Sequence, residues 1–217
     1  MLTTIEENYL KVIYLLSKDG KLKVSATVIA VSLGINPASV IDMLKKLTEK
    51  KLTDYNKVNG AKLTISGIKI ATLIVRKHRL WELFLQQKLG YSWDEVHEIA
   101  EQLEHVQDEK LADRLDELLG FPQYDPHGEA IPNSKGQIRE MKLKTLQEVE
   151  IGKDYKVVSV KDTSKLFLQY LQRLHINIGA IIRVVEKIDF DGSMVIMLEK
   201  STKATVSEKL TESILVS

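Results

Sequence analysis

The stretch SATVIAVSLGINPASVIDMLKKL, residues 25–47, reads as two short helices joined by a tight turn. Ser25 is a hydroxyl cap ahead of Val28, Ile29, Val31 and Leu33, and Gly34 can adopt the left-handed conformation that closes a helix. Two residues later Asn36-Pro37 supplies a cap followed by proline at the first helical position, and Val40, Ile41, Leu44 and Leu47 recur at helical spacing. Short helix, turn with Gly, helix is helix-turn-helix spacing. Upstream, Thr4 and Glu7 read as a capping box before Tyr9, Leu10, Val12, Ile13 and Leu16, which predicts a first helix ending near Asp19-Gly20. Downstream of Leu52 the period becomes extended, and residues 55–58 and 61–64 flank Asn59-Gly60, a dipeptide suited to a type I′ hairpin. A helix-turn-helix followed at once by a basic hairpin is a winged helix.

Beyond the hairpin, Ser66 is expected to cap a long helix running to Leu89 and closed by Gly90. Its apolar residues, among them Ile68, Ile70, Leu73, Leu80, Trp81, Leu83 and Phe84, surround the axis, which predicts burial on every side and places the helix at a subunit interface. Ser92 and Glu95 form a second capping box, expected to open one further helix that lasts until Gly120. Residues 121–144 hold Pro122, Pro126 and Pro132 and read as a linker. The remainder offers strands at 155–160, 181–188, 194–199 and 214–216, an Asp191-Gly192 turn and a helix near 166–174. The expected class is α+β: a winged-helix segment (1–65), a helical segment (66–142) and a small, mostly β barrel-like domain (143–217).

At 217 residues the chain can bury one or two cores. It contains no Cys, which excludes thiolate metal sites and disulfide scaffolds and fits a reducing cytosol. A cation must therefore be held by His, Asp, Glu or amide oxygen. No basic-then-apolar leader opens the chain and no run of 18 apolar residues occurs, so a cytoplasmic protein without a membrane partner is expected. Residues 1–75 carry 11 Lys/Arg against 6 Asp/Glu, whereas residues 76–140 carry 8 against 14. A basic head and an acidic middle fit a polyanion-binding module joined to a cation-binding one.

In a winged helix the second helix of the motif enters the major groove. Asn36, Pro37, Ser39 and Asp42 lie in or beside its first turns, with Lys45 and Lys46 further along, while Lys57, Asn59 and Lys62 sit on the hairpin, placed for backbone or minor-groove contact. Each taken singly could be an ordinary solvated residue. The agreement of caps, period, turn and wing in one order favours double-stranded DNA as partner.

On the helix expected after Ser92, His97, Glu101 and His105 are spaced i, i+4, i+8, with Glu104 beside them, so all four project within about 100° of one another. His78 and Glu82 are again i and i+4 on the preceding helix. A solvated acidic helix is the plain alternative, but Glu101 and Glu104 on one face repel unless a cation lies between them. The Glu-x-x-His pairs of di-iron enzymes and the His-Glu-x-x-His run of metalloproteases are both missing, so no enzyme is expected.

Arg76-Lys77-His78-Arg79-Leu80-Trp81-Glu82, the run from Val96-His97-Glu98 to Glu104-His105-Val106, and Phe121-Pro122 through Asp125-Pro126-His127-Gly128 to Ile131-Pro132 together resemble the diphtheria toxin repressor family, the iron- and manganese-dependent repressors of bacteria. The resemblance covers essentially the whole chain. It implies a homodimer, an SH3-like C-terminal domain and binding to palindromic operators. It also implies an activating site at His78, Glu101, Glu104 and His105, with Asn8 where relatives have Asp or Met. A second site is implied at Glu82, Asp125, His127 and Asp162, and His97 aligns with a ligand of that site in iron-type members only. Glu101 stands where manganese-type members have Glu and iron-type members Cys, which implies Mn(II), with Fe(II) as the other candidate. The reading is thus a metal-dependent repressor of metal-homeostasis genes. A metal-independent winged-helix regulator answering to an organic ligand or a partner protein stays open, as does a metal-handling protein using the winged helix as scaffold.

Overall fold

The computed structural model describes residues 2–138, 143–198 and 202–217. They form two compact units, neither of them one continuous stretch. One unit comprises residues 2–81, 100–118 and 131–138, and the other comprises 82–99, 119–130 and the described residues from 143 onward.

The first unit starts with helix α1 (Thr4–Leu16). Its capping box lies one residue earlier than expected: Thr3 is the cap, its hydroxyl accepting from Glu6 N and Glu6 accepting in return from Thr3 N at 3.0 Å. The sequence Thr3-Thr4-Ile5-Glu6-Glu7 satisfies the pattern in both registers, and the shift releases Glu7 for another partner. Glu6 Oε1 also accepts from Lys50 Nζ at 2.6 Å, and Lys50 is the C-cap of α3. Helices α2 (Ala26–Leu33) and α3 (Pro37–Glu49) have the expected caps, with Ser25 accepting from Val28 N, Gly34 left-handed at φ 66° and Asn36 accepting from Ala38 N. Val40, Leu44 and Leu47 of α3 are wholly buried against Ile29, Leu10 and Ile13.

Strands β1 (Thr53–Asn56) and β2 (Gly60–Leu63) pair antiparallel with Asn56 opposite Gly60. The tip is therefore three residues, Lys57 to Asn59, and not the two-residue turn expected at Asn59-Gly60. Asn56 Oδ1 accepts from Val58 N (2.8 Å) and Asn59 N (3.2 Å), and Gly60 takes φ 80°, so side-chain capping of the tip replaces the two-residue turn. Val24 bridges to Ala61, and a Cβ on Gly60 would come within 2.5 Å of Val24 O, so only glycine lets the wing lie this close to the chain entering α2.

Helix α4 (Ile65–Leu89) is started by Thr64, whose hydroxyl accepts from Gly67 N at 3.1 Å, in place of the expected Ser66. It buries Ile74, Leu80 and Leu83 together with Arg76, His78, Arg79 and Glu82. Much of the burial expected from a partner subunit is thus supplied within the chain. The single helix expected from Ser92 to Gly120 is two: α5 (Val96–Leu103) and α6 (Glu109–Leu118). Asp108 Oδ1 accepts from Lys110 N and Leu111 N, both at 2.8 Å, and so caps a fresh helix at the point where the old one would have continued.

The second unit carries a six-stranded antiparallel sheet in the order β3 (Lys144–Thr145), β8 (Ile214–Val216), β4 (Asp154–Val160), β5 (Ile181–Lys187), β6 (Met194–Leu198), β7 (Thr202–Val206). Helices α7 (Lys165–Arg173) and α8 (Glu208–Ser213) complete it. Strict alternation along β6 buries Met194, Ile196 and Leu198 with Ile182, Val184, Leu171 and Ile214 in one core. Four of its strands and α7 lie where expected, whereas β3, β7 and α8 add to that reading. Glu199, expected at the end of a strand, lies outside the described residues, as do 139–142 of the expected linker. The loop at 125–128 packs on β4: Val160 N donates to His127 O at 3.1 Å, and a Cβ on Gly128 would meet Val158 O at 2.1 Å.

Candidate metal centres and DNA-binding surface

The cap at Asn36 leaves the first turn of α3 in solvent, and Asn36, Pro37, Ser39, Asp42, Lys45 and Lys46 are all exposed, the opposite face being committed to the core. Asp42 pairs with Lys45 at 3.3 Å, so it fixes a neighbour and is not isolated. Lys57, Asn59 and Lys62 are exposed on the wing. Reading helix and wing belong to the same unit, and the Val24–Ala61 bridge ties the wing to the chain entering α2.

The first cluster lies in that unit too. The helix break removes His105 from the helical stripe and places it just past α5, while Glu104 still donates its N–H to Ala100 O at 2.9 Å. Glu104 is wholly buried. His78 Nδ1 donates to Glu104 Oε2 at 2.6 Å, and His105 Nδ1 donates to Glu7 Oε2 at 2.6 Å. Gln107 Nε2 holds the other Glu7 oxygen at 2.9 Å. His105 Nε2 then faces Glu104 Oε1 at 3.5 Å without a hydrogen bond, and Asn8 Oδ1 is buried with no hydrogen-bond partner among the described residues. Orphaned buried acceptors beside buried carboxylates are what a cation site presents when its geometry is set by the protein.

Two members of this cluster were not read from the sequence, Glu7 and Lys11. Lys11 is buried; its ammonium pairs with Glu101 and lies 2.7 Å from Glu104 Oε1. A signal existed, since position 11 follows Asn8 by three and shares its helical face.

The second cluster lies in the other unit. Glu82, Asp125 and His127 are buried and offer one ligand atom each within 4.8 Å of one another. Asp125 Oδ1 accepts from His127 N (2.8 Å) and Glu129 N (2.9 Å), a local turn that aims the loop. His127 Nε2 donates to Trp93 O at 2.8 Å, and the Trp93 ring stacks on the imidazole at 6.5 Å between centroids. That bond fixes the tautomer and turns Nδ1 toward Glu82 Oε2, 3.6 Å away. Burial works against charging this imidazole, but Glu82 and Asp125 outweigh it and lift its pKa to about 9. An oriented imidazole nitrogen facing two buried carboxylates offers a place that a divalent cation fits, and two hard oxygens with one imidazole suit Mn(II) or Fe(II).

His97 is exposed and pairs with Glu82 Oε1 at 3.1 Å, so it stands at the rim of this cluster. Asp162 is not brought into the group of three; its carboxylate accepts from Ser164 N at 2.8 Å and turns the chain into α7.

Residues 1–61 match the family described as iron dependent repressor, N-terminal DNA binding domain; residues 64–133 match its metal binding and dimerisation domain, and 144–217 match the FeoA domain. The chain is 34% identical over 122 residues to the HTH-type transcriptional regulator MntR of Oceanobacillus iheyensis, covering 56% of this chain and 81% of that one. It is 44% identical over 70 residues to a probable metal transport system membrane protein of Chlamydia trachomatis, covering 32% of this chain but only 16% of that one. A solved structure titled manganese-dependent transcriptional repressor complex with manganese matches with 33% identity and TM-score 0.83 over 98% of this chain and 99% of the other.

Proposed function

Since the chain belongs to the iron-dependent repressor family, we propose that it is a homodimeric, metal-dependent transcriptional repressor that controls metal-homeostasis genes from palindromic operators. Mn(II) is the proposed physiological cation, Fe(II) the second candidate, and other divalent transition metals are expected to substitute in vitro. The observation that carries this is the second cluster, where an imidazole Nδ1 is oriented by a carbonyl toward two buried carboxylates in a chain that also presents a winged helix. The solved structure titled as a manganese-dependent repressor and the family described as iron dependent repressor support it.

The three segments 1–65, 66–142 and 143–217 are assigned to DNA binding, to dimerisation with metal binding, and to an SH3-like domain. Glu82, Asp125 and His127 are the proposed donors of the second centre, and His78, Glu101, Glu104 and His105, with Asn8 beside them, the donor set of a first centre into which Lys11 also reaches. A bound cation supplies positive charge that joins carboxylates from separate segments. The protein does the rest: Trp93 O holds the His127 tautomer, the Asp125 turn holds the loop, and Glu7 orients His105. Asn36, Ser39 and the lysines of α3 are proposed to meet the major groove, and Lys57, Asn59 and Lys62 the backbone or minor groove. Among the described residues no single helix is long and apolar enough to cross a membrane, and the proposed location is the cytoplasm. No catalytic role is proposed.

The test is fluorescence anisotropy of a labelled duplex from the gene's upstream region, at fixed salt, in chelator and in excess Mn(II). Tight binding only with Mn(II) is expected. Equal binding in both would leave a DNA-binding protein and remove metal activation.

A further inference from the structure

Lys11 is 5% exposed, an uncommon position for an ammonium, and its location explains it. It lies on α1 one turn after Glu7 and Asn8, and its head group pairs with Glu101 and reaches both oxygens of Glu104 at 2.7 and 2.9 Å. Glu104 has no exposed surface, so its charge needs a buried partner of opposite sign. An ammonium spanning two carboxylates does the electrostatic work that a divalent cation would do there. The two would also compete for space, because Nζ occupies the position between the Glu101 and Glu104 carboxylates. Asn8 offers a neutral oxygen, so it adds no negative charge that would favour the doubly charged ion over the singly charged one.

We infer that Lys11 is a tethered counter-ion filling the first centre, so that this chain takes its activating divalent cation at Glu82, Asp125 and His127, and the first centre opens only when the Lys11 head group is removed. The inference rests on the metal-dependent reading above and assigns the work between its two centres. Lys11 also gives the first cluster a settled arrangement without metal, since Glu104 is paired whether or not a cation is supplied.

The test is equilibrium dialysis of the full chain against Mn(II), with metal content per chain measured for wild type, Glu82→Ala and Lys11→Met. Wild type should hold one tightly bound Mn(II), Glu82→Ala none and Lys11→Met two. Two equivalents in wild type, one retained by Glu82→Ala, or only one in Lys11→Met would each overturn the inference. Should Lys11→Met fail to fold, Lys11→Gln is read in its place with the same two equivalents expected, and one equivalent overturns the inference. The two readings fail differently. Two equivalents in wild type, unchanged by Lys11→Met, sink the counter-ion role and leave metal dependence standing, whereas no bound Mn(II) in any variant removes both.

Discussion

A divalent cation entering the second centre has to displace a proton, which makes its affinity depend on pH. His127 holds its proton up to about pH 9, whereas an imidazole that ligates metal must be neutral. At about pH 7 the gap is about two units, so the proton withholds on the order of 3 kcal/mol, or roughly a hundredfold in affinity. Mn(II) affinity should therefore rise roughly tenfold per pH unit from about pH 7 toward about pH 9 and then level off. Titration calorimetry in two buffers of different ionisation heat measures both the affinity and the proton count, and about one proton released per Mn(II) is expected near pH 7. Flat affinity over that range, or no proton released, refutes Nδ1 of His127 as the ligand atom. For the metal-free chain the sign runs the other way. A folded-state pKa raised above the ordinary 6.5 contributes stability that is complete below that value and is lost as pH climbs through about 9. The melting temperature in chelator should fall over the same window in which Mn(II) binding strengthens.

Three further outcomes are expected. Gly128→Ala puts a Cβ 2.1 Å from Val158 O at a backbone φ of 80°, so it should cost roughly 2 to 4 kcal/mol and weaken Mn(II) binding by displacing the His127 loop; calorimetric melting and dialysis showing neither change would disprove the close packing. Lys57→Ala should weaken DNA binding across all sequences and reduce the salt slope by about one, and anisotropy with an unchanged slope would take the wing off the DNA. Leu44→Ala, at a side chain with no exposed surface, should destabilise the winged helix by roughly 2 to 5 kcal/mol in urea unfolding; a loss below about 1 kcal/mol would mean the α3 face is not packed as described.

The winged helix was legible because its signals are local. Ser25, Gly34 and Asn36-Pro37 act within their own turns, and no distant residue needs to be known to read them. Where two local readings compete, the sequence is silent. Thr3 and Thr4 both precede a Glu by three, and Glu7's contact with His105, 98 positions away, shows which register the fold uses. Lys11 escaped for the same reason, its partners lying 90 and 93 residues along the chain. The break at Asp108 was missed because helical periodicity carried across it, although Asp ahead of Glu-Lys is a cap signal. In the second cluster Glu82 was legible from its helical spacing to His78, whereas Asp125 and His127 were legible only through resemblance. Asp162 was placed by that route alone, and its carboxylate accepts from Ser164 N at the start of α7.

The first turn of α1 has a mechanical consequence. Glu6 is clamped to Lys50 at the end of the reading helix, and its immediate neighbour Glu7 to His105 beside the buried carboxylates. Adjacent residues on a helix point about 100° apart, so these two tethers pull on one shaft in different directions. Any roll of α1 about its axis that eases one contact loads the other. The end of the reading helix and the seating of His105 thus meet at two adjacent residues of one helical turn, and a rotation of α1 is felt at both.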